Sequence, residues 1–182
     1  MSNPAKKVLL LGSTGSIGCQ VIDVARQHPD RVEIVGLAAG RRVDDLLKQA
    51  RELNVHDVVV GSRDVSILPS FRELEAFCDE KRGSYFGCGP EAICALIENS
   101  EADVVVNSLV GAAGLEASLK TIESGMSLAL ANKESLVVGG DMIMPLVEKL
   151  DDMAGAAHKS TCTWAPSGRL VPIDSEHGAI FQ

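Results

Sequence analysis

Val8-Leu9-Leu10-Leu11-Gly12-Ser13-Thr14-Gly15-Ser16-Ile17-Gly18 decides how the rest of the chain is read. Four branched apolar residues in a row suit a parallel strand buried on both faces. Gly12, Gly15 and Gly18 follow at intervals of three. After Ser16 the apolar residues Ile17, Val21, Val24 and Ala25 recur at helical spacing, up to a stop signal at His28-Pro29-Asp30. A strand, a glycine turn and a helix amino terminus form an anion site, because free N–H groups and the helix dipole point at the turn. The pattern lacks the second glycine of Gly-x-Gly-x-x-Gly, since Ser13 stands there. Two readings remain open on this stretch alone: a tight turn before a helix, or a phosphate cradle. The small hydroxyls of Ser13, Thr14 and Ser16 favour the cradle.

Outward from this stretch, strands and helices alternate. Strands are expected at 32–39, 57–61, 85–88, 103–108 and 126–131. Helices are expected at 43–53, over 63–81 with an interruption at Pro69, from Gly89-Pro90-Glu91 to Asn99, behind Gly111-Ala112-Ala113-Gly114, and from 135 to about 150. The helix behind Gly114 is expected to carry Leu115, Leu119 and Ile122 on its inner stripe. The last helix is expected to turn Ile143, Val147 and Leu150 inward. This rhythm implies parallel βαβ units, hence an α/β, Rossmann-like doubly wound parallel sheet. Residues 1–150 form the expected nucleotide-binding domain, and 151–168, small, polar and aperiodic, a linker or insertion. Residues 169–182 open a second unit that is read as truncated.

Composition bounds the function. With 46% hydrophobic residues the chain of 182 can bury a sizeable core, and with 3% aromatics that core is aliphatic. A net charge of −8, with no basic cluster beyond Lys6-Lys7 and Arg41-Arg42, argues against nucleic acid. Five cysteines without a Cys-x-x-Cys pair disfavour a disulfide framework and a thiolate metal site. No apolar stretch reaches transmembrane length, and residues 1–7 leave no room for a signal peptide. A cytoplasmic protein without membrane contact is expected.

Three strand ends carry polar groups where open α/β sheets bind ligands. The strand at 32–39 ends in Gly40-Arg41-Arg42. A carboxylate there would suit the ribose hydroxyl of NAD, whereas guanidinium groups suit the 2′-phosphate of NADP. Asn132-Lys133-Glu134 brings an amide, an ammonium and a carboxylate into one loop; a solvated helix start explains it equally well. In Asp174-Ser175-Glu176 the two carboxylates project to one face of an extended segment. Oxygen ligands of that kind suit Mg²⁺ or Mn²⁺, although an acidic turn is the commoner meaning of Asp-x-Glu.

Gly12-Ser13-Thr14-Gly15-Ser16-Ile17-Gly18, Val110-Gly111-Ala112-Ala113-Gly114, the seven residues from Leu130 to Leu136 and the run from Pro172 to Gln182 together resemble the 1-deoxy-D-xylulose 5-phosphate reductoisomerases. The resemblance covers essentially the whole chain but only the amino-terminal part of that enzyme. It implies an NADPH- and divalent-metal-dependent reductoisomerase of the non-mevalonate isoprenoid pathway. Its small phosphorylated sugar substrate, 1-deoxy-D-xylulose 5-phosphate, is rearranged and reduced to 2-C-methyl-D-erythritol 4-phosphate. By motif, Thr14, Gly15, Ser16 and Ile17 would cradle the pyrophosphate. Gly40, Arg41 and Arg42 would meet the 2′-phosphate end, and Asn132 and Glu134 would also contact NADPH. Lys133, Ser175 and Glu176 would bind substrate, with Lys133 and Glu176 catalytic. Asp174 and Glu176 would hold Mg²⁺ or Mn²⁺, with Co²⁺ a further candidate. The resemblance also implies a homodimer at full length. The family's remaining metal carboxylate, phosphate-binding residues and flap fall beyond Gln182, so the chain alone is expected to be inactive.

Overall fold

The computed structural model describes residues 4–131, 139–147 and 170–173. Seven strands form one parallel sheet: β1 (Lys6–Leu11), β2 (Val32–Ala39), β3 (Val58–Val60), β4 (Phe86–Cys88), β5 (Val104–Asn107), β6 (Ser127–Leu130) and β7 (Leu170–Pro172). Helices α1 (Ser16–Gln27), α2 (Val43–Leu53), α3 (Pro69–Asp79), α4 (Pro90–Asn99) and α5 (Ala112–Glu123) make the crossovers, and residues 139–147 are also helical. The strand order is β4-β3-β2-β1-β5-β6-β7. The winding reverses between β1 and β5, and doubly wound sheets take their ligands in the crevice at the carboxyl ends of the strands where it does so.

The central strands are buried on both faces, as their unbroken apolar runs require. Leu9, Leu10, Leu11, Val58, Val59 and Val60 have no exposed surface. One core lies on the α1–α2–α3 face and holds Leu10, Leu37, Leu46 and Leu74. The opposite core holds Leu9, Leu11, Ile93 and Ile97. A third cluster joins Ile122 and Leu128 to Ile143 and Val147, so the helix expected after position 135 does turn those two residues inward. Leu150 lies outside the described residues.

Where observed elements depart from expectation, a local cause is visible. Pro69 starts α3 rather than interrupting a longer helix, because a ring with fixed φ and no N–H fits the first helical position. The buried face of α1 is Gly18, Ile22 and Ala25, whereas Val24 is 49% exposed. The stripe sits one residue away from that expected, because the helix lies with Gly18 against the turn. A Cβ at Gly18 would stand 2.4 Å from the Gly12 carbonyl oxygen and 2.5 Å from that of Ser13. In α5 the innermost residues are the small Gly114, Ala117, Ser118 and Thr121, together with Ile122. Leu115 and Leu119 are half-buried against the third cluster instead. β7 is hydrogen-bonded in parallel to β6, with Leu128 opposite Leu170 and Leu130 opposite Pro172.

Three outcomes follow from this packing. Leu10→Ala should cost about 3 kcal/mol in urea denaturation, and Val24→Ala less than about 0.5 kcal/mol, because only the first empties core volume. Gly18→Ala should destabilise by more than about 1 kcal/mol despite the better helix propensity of alanine, since the groups in its way are backbone. Burial pushes the Cys78 thiol up to about 12, so the thiol stays protonated and iodoacetamide should label it only after unfolding, whereas exposed Cys19 reacts in the native chain.

Candidate dinucleotide site

The turn after β1 is held by backbone and side-chain hydrogen bonds from its neighbours. Gly12 adopts φ +84°, open to glycine and strained for other residues. Its N–H and that of Ser13 both donate to the Ala38 carbonyl, at 2.8 and 2.9 Å, which staples the turn to β2. The Ser13 carbonyl accepts from the Gln49 amide at 3.0 Å, which ties the turn to α2. From the other side the Ser108 hydroxyl donates to the Leu11 carbonyl at 2.8 Å. Gly15 then caps α1, and no side chain caps that helix or places an acid in its first turn. The positive end of the α1 dipole is therefore left uncompensated beside a rigid turn.

A cleft of about 430 Å³ opens there, along the carboxyl ends of β1, β2, β3 and β5. Thr14, Gly15, Gly40, Arg41 and Arg42 all line it, so the structure brings together five of the seven predicted cofactor residues that it describes. Ser16 and Ile17 begin α1 beside the cleft and are not among its lining residues. Asn132, Lys133, Glu134, Asp174, Ser175 and Glu176 lie outside the described residues. Among the described residues no group of three or more His, Cys, Asp or Glu could hold a metal ion.

The Ser13 hydroxyl is fully buried and has no hydrogen-bond partner among the described residues. Such a group costs about 1–3 kcal/mol unless something satisfies it. A glycine backbone turn and a bare helix terminus lining one cleft together fit a bound oxyanion. At the far end of the cleft Arg41 and Arg42 supply fixed positive charge, which suits a second phosphate. Arg41 pairs with Asp64 at 3.0 Å and Arg42 with Asp45 at 3.7 Å, all four side chains more than half exposed.

Sequence reading missed the opposite lip. Gly61 and Ser62 follow β3, Pro90 and Ile93 open α4, and Ser108, Leu109, Val110 and Ala113 come from the β5–α5 loop. Val110 is 84% exposed and adds an aliphatic surface to the cleft lining. The loop is held by Asn107, which is fully buried. Its amide donates to the Gly114 carbonyl at 2.7 Å and to the Ser118 hydroxyl at 2.9 Å, and its side-chain oxygen accepts from the Leu109 N–H. A polar residue closing an apolar strand was the available signal for this pin.

The family model for 1-deoxy-D-xylulose 5-phosphate reductoisomerase matches residues 8–140. The chain is 44% identical over 177 residues to the reductoisomerase of Mycobacterium avium, covering 97% of this chain and 36% of that protein. It thus spans little more than a third of the length of that relative. Among solved structures it superposes on the Zymomonas mobilis reductoisomerase in complex with NADPH with a TM-score of 0.76 at 30% identity, over 98% of this chain and 41% of the other. It also matches a reductoisomerase in complex with NADPH, fosmidomycin and magnesium, with a TM-score of 0.76 at 32% identity, over 97% of this chain and 38% of the other. Because that family model matches most of its length, the chain belongs to the 1-deoxy-D-xylulose 5-phosphate reductoisomerase family.

Proposed function

We propose that this chain forms the NADPH-holding part of an enzyme that converts 1-deoxy-D-xylulose 5-phosphate to 2-C-methyl-D-erythritol 4-phosphate. The observation that carries this reading is the cleft itself, where the uncapped start of α1 and the Arg41-Arg42 pair line one groove. Its two ends match the two phosphate positions of NADPH, the pyrophosphate and the 2′-phosphate. Thr14, Gly15, Ser16 and Ile17 would hold the pyrophosphate, through the Thr14 hydroxyl and the free N–H groups of the first turn of α1. Gly40 leaves room for the ribose, and Arg41 and Arg42 would hold the 2′-phosphate. When bound, NADPH supplies hydride, and a divalent cation supplies the Lewis acidity that polarises a carbonyl.

Further roles extend the same reading. Asn132 and Glu134 would steady the cofactor and Lys133 the substrate, from the loop that leaves the carboxyl end of β6. Asp174 and Glu176 would bind Mg²⁺, Mn²⁺ or Co²⁺, and Ser175 and Glu176 would touch the phosphorylated sugar. The pairing of β7 with β6 supports this placement, because Pro172 and Leu130 stand side by side immediately before the two segments. Within the proposal, residues 1–150 form the cofactor domain, 151–168 a link, and 169–182 the entry to the catalytic domain, in a cytoplasmic homodimer. No helix among the described residues is long and apolar enough to cross a membrane.

Calorimetric titration of the 182-residue chain tests the cofactor assignment. NADPH should bind at least about tenfold more tightly than NADH, a gap of ~1.4 kcal/mol. Arg42→Gln should narrow that gap by weakening NADPH alone; equal binding of the two cofactors would sink the assignment. In a protein of the family's full length, Asp174→Asn should raise the Mn²⁺ concentration needed for turnover at least about tenfold, without changing NADPH affinity.

A further inference from the structure

The two arginines of the cleft are held differently. Arg42 pairs with Asp45, one turn along, at 3.7 Å. Arg41 is gripped from a separate loop. Its Nε donates to the Ser62 hydroxyl at 3.5 Å, and its Nη2 lies 3.0 Å from an Asp64 carboxylate oxygen. The Ser62 hydroxyl in turn donates to the other Asp64 oxygen. The three side chains close a ring, with each polar atom used in the sense its chemistry allows. That hydrogen bond, followed by the Arg41 charge, holds the Asp64 carboxyl below its ordinary value, so Asp64 stays anionic throughout the neutral range. The backbone beneath is fixed as well. The Gly61 N–H donates to the Ala39 carbonyl at 2.7 Å, and the Ser62 N–H to the Gly40 carbonyl at 3.2 Å.

Both contacts fall on one edge of the guanidinium, the edge formed by Nε and Nη2. A guanidinium carries five N–H groups in a planar fork, so the end formed by Nη1 and Nη2 remains for a second, two-pronged acceptor. Arg41 and Ser62 line the cleft, and Asp64 is not among its lining residues. A carboxylate outside the cleft that grips the outer edge of an arginine inside it fixes where the free end points. Isolated surface ion pairs of this exposure contribute little to stability, so a stabilising role does not account for the arrangement. Orienting a side chain before its ligand arrives removes an ordering cost that binding would otherwise meet.

We propose that Asp64, with Ser62, is a positioning residue that presents Arg41 to the 2′-phosphate of the cofactor and so sets the preference for NADPH over NADH. The inference rests on the NADPH reading of the cleft. Its test is calorimetric binding of NADPH and of NADH to the 182-residue chain and its variants. Asp64→Ala should weaken NADPH three- to tenfold and leave NADH within twofold. Asp64→Asn, which keeps an acceptor for Arg41, should lose less. In an Arg41→Gln background the Asp64→Ala effect should fall below twofold, because the residue acts only through Arg41. Asp64 is exposed, and unchanged thermal melting of the variants would confirm that they fold.

A wild-type chain that prefers NADPH, joined to an Asp64→Ala variant with unchanged or tighter NADPH binding, overturns the inference and leaves the cofactor reading standing. Tighter binding would mean that Asp64 competes with the phosphate for Arg41. Equal loss of NADPH and NADH would overturn it too, since a general disturbance of the loop has no preference for the 2′ position. A wild-type chain that binds both cofactors equally overturns the cofactor reading first and this inference with it.

Discussion

The carboxyl edge of the sheet depends on how close the backbone of α1 comes to the backbone of the turn before it. At Gly18 there is room for a hydrogen and for nothing larger, because the Gly12 and Ser13 carbonyl oxygens would meet any Cβ at 2.4 and 2.5 Å. That contact points the axis of α1 at the turn and brings its first N–H groups to the lip of the cleft. It also selects which residues of α1 face the sheet, and so decides that Ile22 and Ala25 are buried and Val24 is not. The same closeness recurs at Gly12, where a Cβ would strike Ser108 at 2.5 Å, so β1 and β5 end against each other where the winding reverses.

Rigidity there has a functional meaning. A phosphate cradle works when its donors already point inward, since no free energy is then spent on turning them. Two hydrogen bonds to Ala38, one from Gln49 and one from Ser108 fix the turn and the end of β1 from three neighbouring elements. The unpaired Ser13 hydroxyl is the counterpart of this order. A group left without a partner in so well-tied a turn is one of the few local rules the fold breaks among the described residues. Arg41 extends the same logic to the far end of the cleft, held by Ser62 and Asp64 rather than left to wander.

Much of this architecture was legible in residue order. The unbroken apolar runs could only be central parallel strands, and the bounds of β2, α2 and α4 agree with their patterns. Pro90 after Gly89 marks the start of α4 for the same physical reason that Pro69 marks α3, although the helical pattern around Pro69 makes it look like an interruption. The stripes of α1 and α5 were read from apolar residues alone. Both helices present glycine and other small residues to their neighbours, and a small residue that allows close approach leaves no hydrophobic mark in the sequence.

By itself the sequence determined the fold class, the glycine turn and the positive pair beyond β2, because each is a local property of consecutive residues. The family followed from four motifs in the same order. Tertiary structure alone decided that Gly15 and Arg41 line one cleft, that Asn107 and Ser108 brace it, and that Ser62 and Asp64 grip the arginine. Those partners come from strands far apart in the chain and meet only because the sheet places β1, β2, β3 and β5 side by side. Spacing along a chain carries no trace of such neighbours; the hydrogen-bonded order of the strands creates them.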